Sequence, residues 1–170
     1  IVKFERIWAM PNHKTFSILP IKQLLKEEMG ESELWIDPYS GGSSVAQLTN
    51  DLNPDEPADF HLPACEFLSQ VRDTLHIVGG VLFDPPYSPR QIKEMYNRIG
   101  LSPTQSDTQS SFWSKPKDLI ALLQPRKVIS FGWNTQGMGL KRGYAITRIL
   151  LVPHGGAHND TIVTVEERVR

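Results

Sequence analysis

Asp84-Pro85-Pro86-Tyr87 closes the apolar run Gly80-Val81-Leu82-Phe83 and places an acid, two prolines and an aromatic ring together. If the run is a strand, the group lies at its C-terminal edge, where open α/β sheets do their chemistry. The Asp84 carboxylate and the Pro85 carbonyl are acceptors, and Tyr87 offers a flat π face. That combination suits an aromatic amine. Its lone pair is delocalised and poorly nucleophilic; two acceptors on the N–H groups would make the nitrogen more tetrahedral and stabilise the positive charge that grows as it attacks. The alternative is a D-P-P turn with a surface tyrosine. Upstream, Leu34-Trp35-Ile36 runs into Asp37-Pro38-Tyr39-Ser40-Gly41-Gly42-Ser43, and Ala46 to Asn50 runs into Asp51 and Leu52. Each pairs an apolar segment with a terminal acid, and the small residues after Asp37 allow a ligand close to the backbone. The plainer reading makes both acids turn residues.

Other candidates are weaker. Cys65 is the single cysteine; it excludes an internal disulfide and multi-cysteine metal sites, and it reads as a small core side chain in a helix. His154 and His158 flank Gly155-Gly156-Ala157, and a metal would require further ligands, so no metal is expected. They are turn residues or contacts to substrate. Gly137 to Gly143 lacks the spacing of a nucleoside-triphosphate loop and reads as a turn over the active face. Arg90, Lys93, Lys115 and Lys117 are either phosphate contacts or a solvated helix face.

With 170 residues, 18 Lys+Arg and 19 Asp+Glu, the chain has room for one domain and carries a net charge of −1. It is not a protein that grips nucleic acid by bulk charge; any such contact needs a local patch. No apolar run approaches the ~20 residues of a membrane span, and no targeting segment is visible. A reducing, cytoplasmic setting is the simplest expectation.

The elements that must position these residues can be read from periodicity. Ile21, Leu24 and Leu25 predict a helix ending at Gly30; Leu68, Val71 and Leu75 predict one from Ala64; Ile92, Met95, Tyr96 and Ile99 predict one from Pro89 to Gly100. Strands are expected at Leu34–Ile36, Ala46–Asn50, Gly80–Asp84, Val128–Trp133, Arg148–Val152 and Thr161–Val165, with a weaker one at Ala58–Leu62. Leu101 to Ser114 reads as a long polar loop, a connector or a lid carrying Phe112 and Trp113, before a short helix from Lys117 to Leu123. Alternating strands and helices with a final hairpin predict an α/β fold, a mostly parallel sheet with a C-terminal antiparallel hairpin.

The two motifs, in this order, make the chain resemble the S-adenosylmethionine-dependent amino-methyltransferases of nucleic acids, whose signature is D-P-P-Y and whose cofactor loop reads D-P-F-x-G-x-G. The resemblance implies a Rossmann-like class I methyltransferase domain over residues 1–170, without a separate target-recognition domain. It implies a cofactor site at Asp37, Pro38, Tyr39, Gly41 and Leu52, with Asp51 at the ribose and Phe16 and Ile18 packed over the cofactor. Asp84, Pro85, Pro86 and Tyr87 would be catalytic, and Arg90, Phe112, Trp113, His154 and His158 are candidates for substrate contact. Pro63 departs from the pattern: relatives commonly carry there an aspartate that reads the cofactor's adenine, so the contact is lost or passes to the Leu62 backbone. The implied reaction is methyl transfer to an exocyclic amine, adenine N6 in DNA first, with RNA, a modified base or a non-catalytic binding subunit as alternatives. A homodimer or a recognition partner would supply sequence preference.

Overall fold

The computed structural model describes residues 1–75, 77–104 and 109–169. A seven-stranded sheet runs through it in the order β1-β6-β7-β5-β4-β2-β3. The strands are β1 (Lys3–Arg6), β2 (Trp35–Asp37), β3 (Leu48–Thr49), β4 (Gly80–Phe83), β5 (Lys127–Gly132), β6 (Tyr144–Val152) and β7 (Thr161–Arg168). Among the described residues four α-helices accompany them: α1 (Leu19–Glu28), α2 (Ala64–Thr74), α3 (Pro89–Arg98) and α4 (Ser111–Leu123). All neighbouring strands pair in parallel except β7, which is antiparallel to both β5 and β6.

The unbroken apolar run of β4 is explained by burial on both faces, as parallel sheets require. Leu82 joins Ile21, Leu24 and Leu25 of α1 with Trp35 and Ile129 on one face. Val81 and Phe83 join Phe67, Leu68 and Val71 of α2 and Ile120 of α4 on the other. At the opposite end of the sheet from the D-P-P-Y edge, Arg148 of β6 is 6% exposed and reaches Glu5 of β1 at 2.6 Å, Glu27 at 2.7 Å and Glu28 at 3.0 Å. Lys127 of β5 meets Glu28 at 2.6 Å. Buried charge thus ties α1 to three strands.

Several sequence expectations need correction. β1 was not foreseen; it adds to the edge of β6, an outcome fixed by its partner rather than by its own pattern. Ala58–Leu62 is no strand but a single bridge between Asn50 and Phe60. α4 begins at Ser111, not Lys117. Pro116 lies inside this helix, where its missing N–H forfeits one internal bond. Phe112 and Trp113 are therefore helical residues, and residues 105–108 of the expected loop lie outside the described residues. Two parallel crossovers also lack the usual helix: 38–47 between β2 and β3, and 133–143 between β5 and β6, which contains only a 3-10 turn at Leu140–Arg142. The latter folds back on Glu166 of β7, whose buried carboxylate accepts the Met138 and Gly139 N–H groups at 2.6 and 2.9 Å. Gly137 has φ 50° there, and a Cβ would sit 2.3 Å from a Glu166 oxygen, so no other residue fits without rearrangement.

Candidate active site

β4 delivers Asp84 to the edge of the sheet, and the prolines turn the chain before α3 starts. Ser88 caps that helix by accepting the Gln91 N–H at 3.3 Å, and Pro89 stands in its first turn. The turn is held from two sides. The Tyr87 N–H donates to Gln91 Oε1 at 2.6 Å, and the Trp113 indole N–H donates to the Pro86 carbonyl at 2.7 Å. The Tyr87 hydroxyl donates to Asp84 Oδ1, and its ring meets Trp133 edge-on at 5.5 Å. Thr15, on a 3-10 turn at Thr15–Ser17, hydrogen-bonds both Asp84 and Tyr87.

Burial raises the Asp84 carboxyl to about 6, against the opposing pull of the Tyr87 and Thr15 hydrogen bonds. The same burial, with the neighbouring carboxylate, holds the Tyr87 phenol well above its ordinary value. Tyr87 is thus a neutral donor and Asp84 an acid that ionises near neutrality.

Asp84, Pro85 and Tyr87 form one wall of a cleft of about 620 Å³, the size of small-molecule sites in general. Pro38, Tyr39, Asp51, Leu52 and Leu62 line the same cleft, as does the start of α2 at Pro63, Ala64 and Cys65. The loop after β2 is shaped by its acids. Asp37 is fully buried; its oxygens accept the Tyr39 N–H at 2.9 Å and the Ser44 hydroxyl at 2.5 Å, and burial lifts its carboxyl to about 7. Asp51 accepts the Gly41 and Asn53 N–H groups, each at 2.8 Å. Gly41 and Gly42 take φ of 55° and 70°, which permits this tight turn.

An S-adenosylmethionine-sized ligand fits these donors and acceptors. Each Asp51 oxygen accepts one backbone N–H and keeps acceptor capacity for a ribose hydroxyl. α2 begins without a side-chain cap; the Pro63 carbonyl takes the Glu66 and Phe67 N–H groups at 2.9 and 3.0 Å, and Ala64 and Cys65, the two residues ahead of them, line the cleft. The Leu62 N–H is taken by Asn50 Oδ1 at 3.0 Å and its carbonyl accepts from Asn50 at 2.9 Å, which leaves that carbonyl one lone pair in place of the expected aspartate.

Other predicted residues fall elsewhere. Phe16 and Ile18 are 4% and 5% exposed and belong to the core, with the Phe16 ring tilted against Phe131 at 4.9 Å; Thr15 stands on the cleft wall instead. Arg90 is exposed and pairs with Glu94 at 2.9 Å on the outer face of α3. Phe112 lines the cleft and Trp113 a second one beyond Tyr87. His154 is buried, bonded to the Ala9 carbonyl and to Thr161 at 2.8 Å each, and acts as a brace between β6 and the segment after β1. His158 lies on the β6–β7 turn and lines neither cleft.

Sequence reasoning missed Asn50. Buried at 1% exposure, it also donates to the Pro38 carbonyl at 3.1 Å, joining the cofactor loop to the Leu62 wall. Its position beside Asp51 at a strand end was the only available signal.

No family model and no curated protein matches the chain. Among solved structures, TrmN from Thermus thermophilus is similar, with a TM-score of 0.51 at 14% identity over 89% of this chain and 49% of that one. The chain thus spans about half the length of that structure. At this identity the likeness concerns architecture: the seven-stranded sheet with its antiparallel β6–β7 hairpin is a Rossmann-like methyltransferase fold.

Proposed function

We propose that the chain transfers a methyl group from S-adenosylmethionine to an exocyclic amine of a nucleobase in nucleic acid. The observation that carries this reading is the shared cleft: Asp84 and Tyr87 of D-P-P-Y face the same space as Asp51, Pro38 and the open start of α2. When bound, the cofactor supplies an electrophilic methyl group. The chain's own residues prepare the acceptor. Tyr87, donating to Oδ1, and Thr15 orient Asp84, whose remaining lone pairs serve with the Pro85 carbonyl as acceptors for the two amine hydrogens. The ionised carboxylate then stabilises the positive charge that develops on nitrogen.

The aspartate that opens D-P-P-Y favours adenine N6 by the habits of the families it resembles. An RNA acceptor has at least equal support, because the similar solved structure, TrmN, is an RNA methyltransferase. Incubation with methyl-labelled cofactor and a panel of DNA and RNA, followed by nucleoside mass spectrometry, tests the reading. An N-methylated nucleoside from one class is the expected result. Bound cofactor with only unmodified nucleosides would replace it with a non-catalytic role.

A further inference from the structure

Beyond Tyr87 lies a second cleft of about 410 Å³, separated from the first by Pro85 and Tyr87 and roofed by the first turns of α4. It exists because the 133–143 crossover brings no helix to cover the end of β5. Its walls combine features that a packed core avoids. Ser130 is 9% exposed, and its hydroxyl has no hydrogen-bond partner among the described residues. Such a group costs free energy unless something from outside completes it. The Lys117 ammonium sits 5.9 Å above the Phe83 ring with no ion-pair partner among the described residues. Arg142 gives Nε to Asp118 at 2.7 Å and Nη1 to the Met138 carbonyl at 3.1 Å, which leaves donors on its third nitrogen. Burial, and after it the nearby Arg142 charge, push the Lys117 pKa down against a weaker pull from Glu166. Trp133 is 40% exposed at the mouth, with Asn134 and Gln136 beside it.

We infer that this second cleft seats a nucleotide adjoining the one that is methylated, its phosphate on Lys117 and Arg142 and its base against Trp133. The inference rests on the proposed nucleic-acid substrate. It assigns local recognition to a cleft within the catalytic domain, where Asn134 and Gln136 can hydrogen-bond base edges and Ser130 can complete its unmet bond.

The test is titration of labelled single-stranded oligonucleotides with the full chain at stepped salt, read by anisotropy. Lys117→Gln is expected to weaken binding several-fold whatever the sequence and to lower the slope of log affinity against log salt by about 1. Lys117→Arg should keep both. Trp133→Ala is expected to lose roughly tenfold, and the loss should vanish when the oligonucleotide is abasic at one flanking position. Trp133→Phe should retain most of the affinity and serves if the alanine variant fails to fold. Unchanged affinity and slope in Lys117→Gln, or a Trp133 effect indifferent to every abasic position, would overturn the inference. A wild-type chain that binds no oligonucleotide would instead remove the functional reading beneath it, so the two failures are distinguishable.

Discussion

The Asp84 carboxyl is asked for two incompatible things. Its proposed role needs a charge, whereas its partly buried setting raises its pKa to about 6 and penalises that charge at neutral pH. Asp84→Asn keeps an acceptor for the Tyr87 hydroxyl and removes the charge. We expect it to stabilise the fold by about 1–2 kcal/mol at pH 7.5, from ~1.4 kcal/mol per pKa unit discounted for the open cleft, while methyl transfer falls at least a hundredfold. Urea unfolding and single-turnover rates check both halves; a destabilised or active variant contradicts the account. In the wild-type chain, kcat/KM should rise with pH through about 6 and then level, as Asp84 ionises. Asn50 behaves oppositely. Asn50→Ala strands the Pro38 carbonyl and both Leu62 backbone groups, and should cost about 2–4 kcal/mol. Asn50→Asp should not rescue it, because a carboxylate would face two carbonyls. Chemical denaturation, with calorimetry of cofactor affinity, reads both variants.

Among the elements, β1 is the least self-sufficient: four residues, mostly exposed, held by β6 and by the Arg148 cluster. Arg148→Ala removes the charge shared by Glu5, Glu27 and Glu28 and leaves only Lys3 for Glu5 and Lys127 for Glu28, so its cost should fall below the ~3–5 kcal/mol of a buried pair stripped of all counter-charge. Hydrogen exchange at the amides of residues 3–6 should accelerate before that of β4 or β5. The elements whose own sequence carries their reason to form were legible. Ile21, Leu24 and Leu25 mark the buried stripe of α1, and Gly80 to Phe83 marks a strand buried on both faces. β1 and the early start of α4 were not legible, because a neighbour decides each of them. The same holds at the site. Asp84, Tyr87 and Asp51 announced themselves by position, whereas Phe16 facing the core and Thr15 facing the cleft is a matter of tertiary burial that one aromatic before a helix does not encode. Helices missing from 38–47 and 133–143 could have been inferred from crossover length, since neither stretch carries a helical apolar period.

For the molecule as a whole, two sets of carboxyls pull the pH dependence of stability in opposite directions. Glu5, Glu28 and Glu33 are lowered from 4.5 by their partners, most directly by Arg148, Lys127 and Arg126, so their contribution is present above that value and lost as pH falls. Asp37 and Asp84 are raised from 3.8 to about 7 and about 6, so theirs is full below 3.8 and lost as pH rises through those values. The thermal midpoint should therefore peak near pH 5 and decline toward pH 7.5, while activity climbs over the same range. A midpoint still rising between pH 6 and pH 7.5 would contradict the burial of Asp37 and Asp84. The Arg148–Glu5 contact carries a further consequence, for biosynthesis. Its partners are 143 residues apart, so β1 leaves the ribosome long before β6 exists. Until then a nascent chain displays Phe4, Ile7, Trp8 and Met10, side chains that remain largely exposed even after folding, beside carboxylates awaiting their arginine. Docking β1 requires one of the longest closures in the chain, which makes it a late step and leaves this segment to chaperones meanwhile.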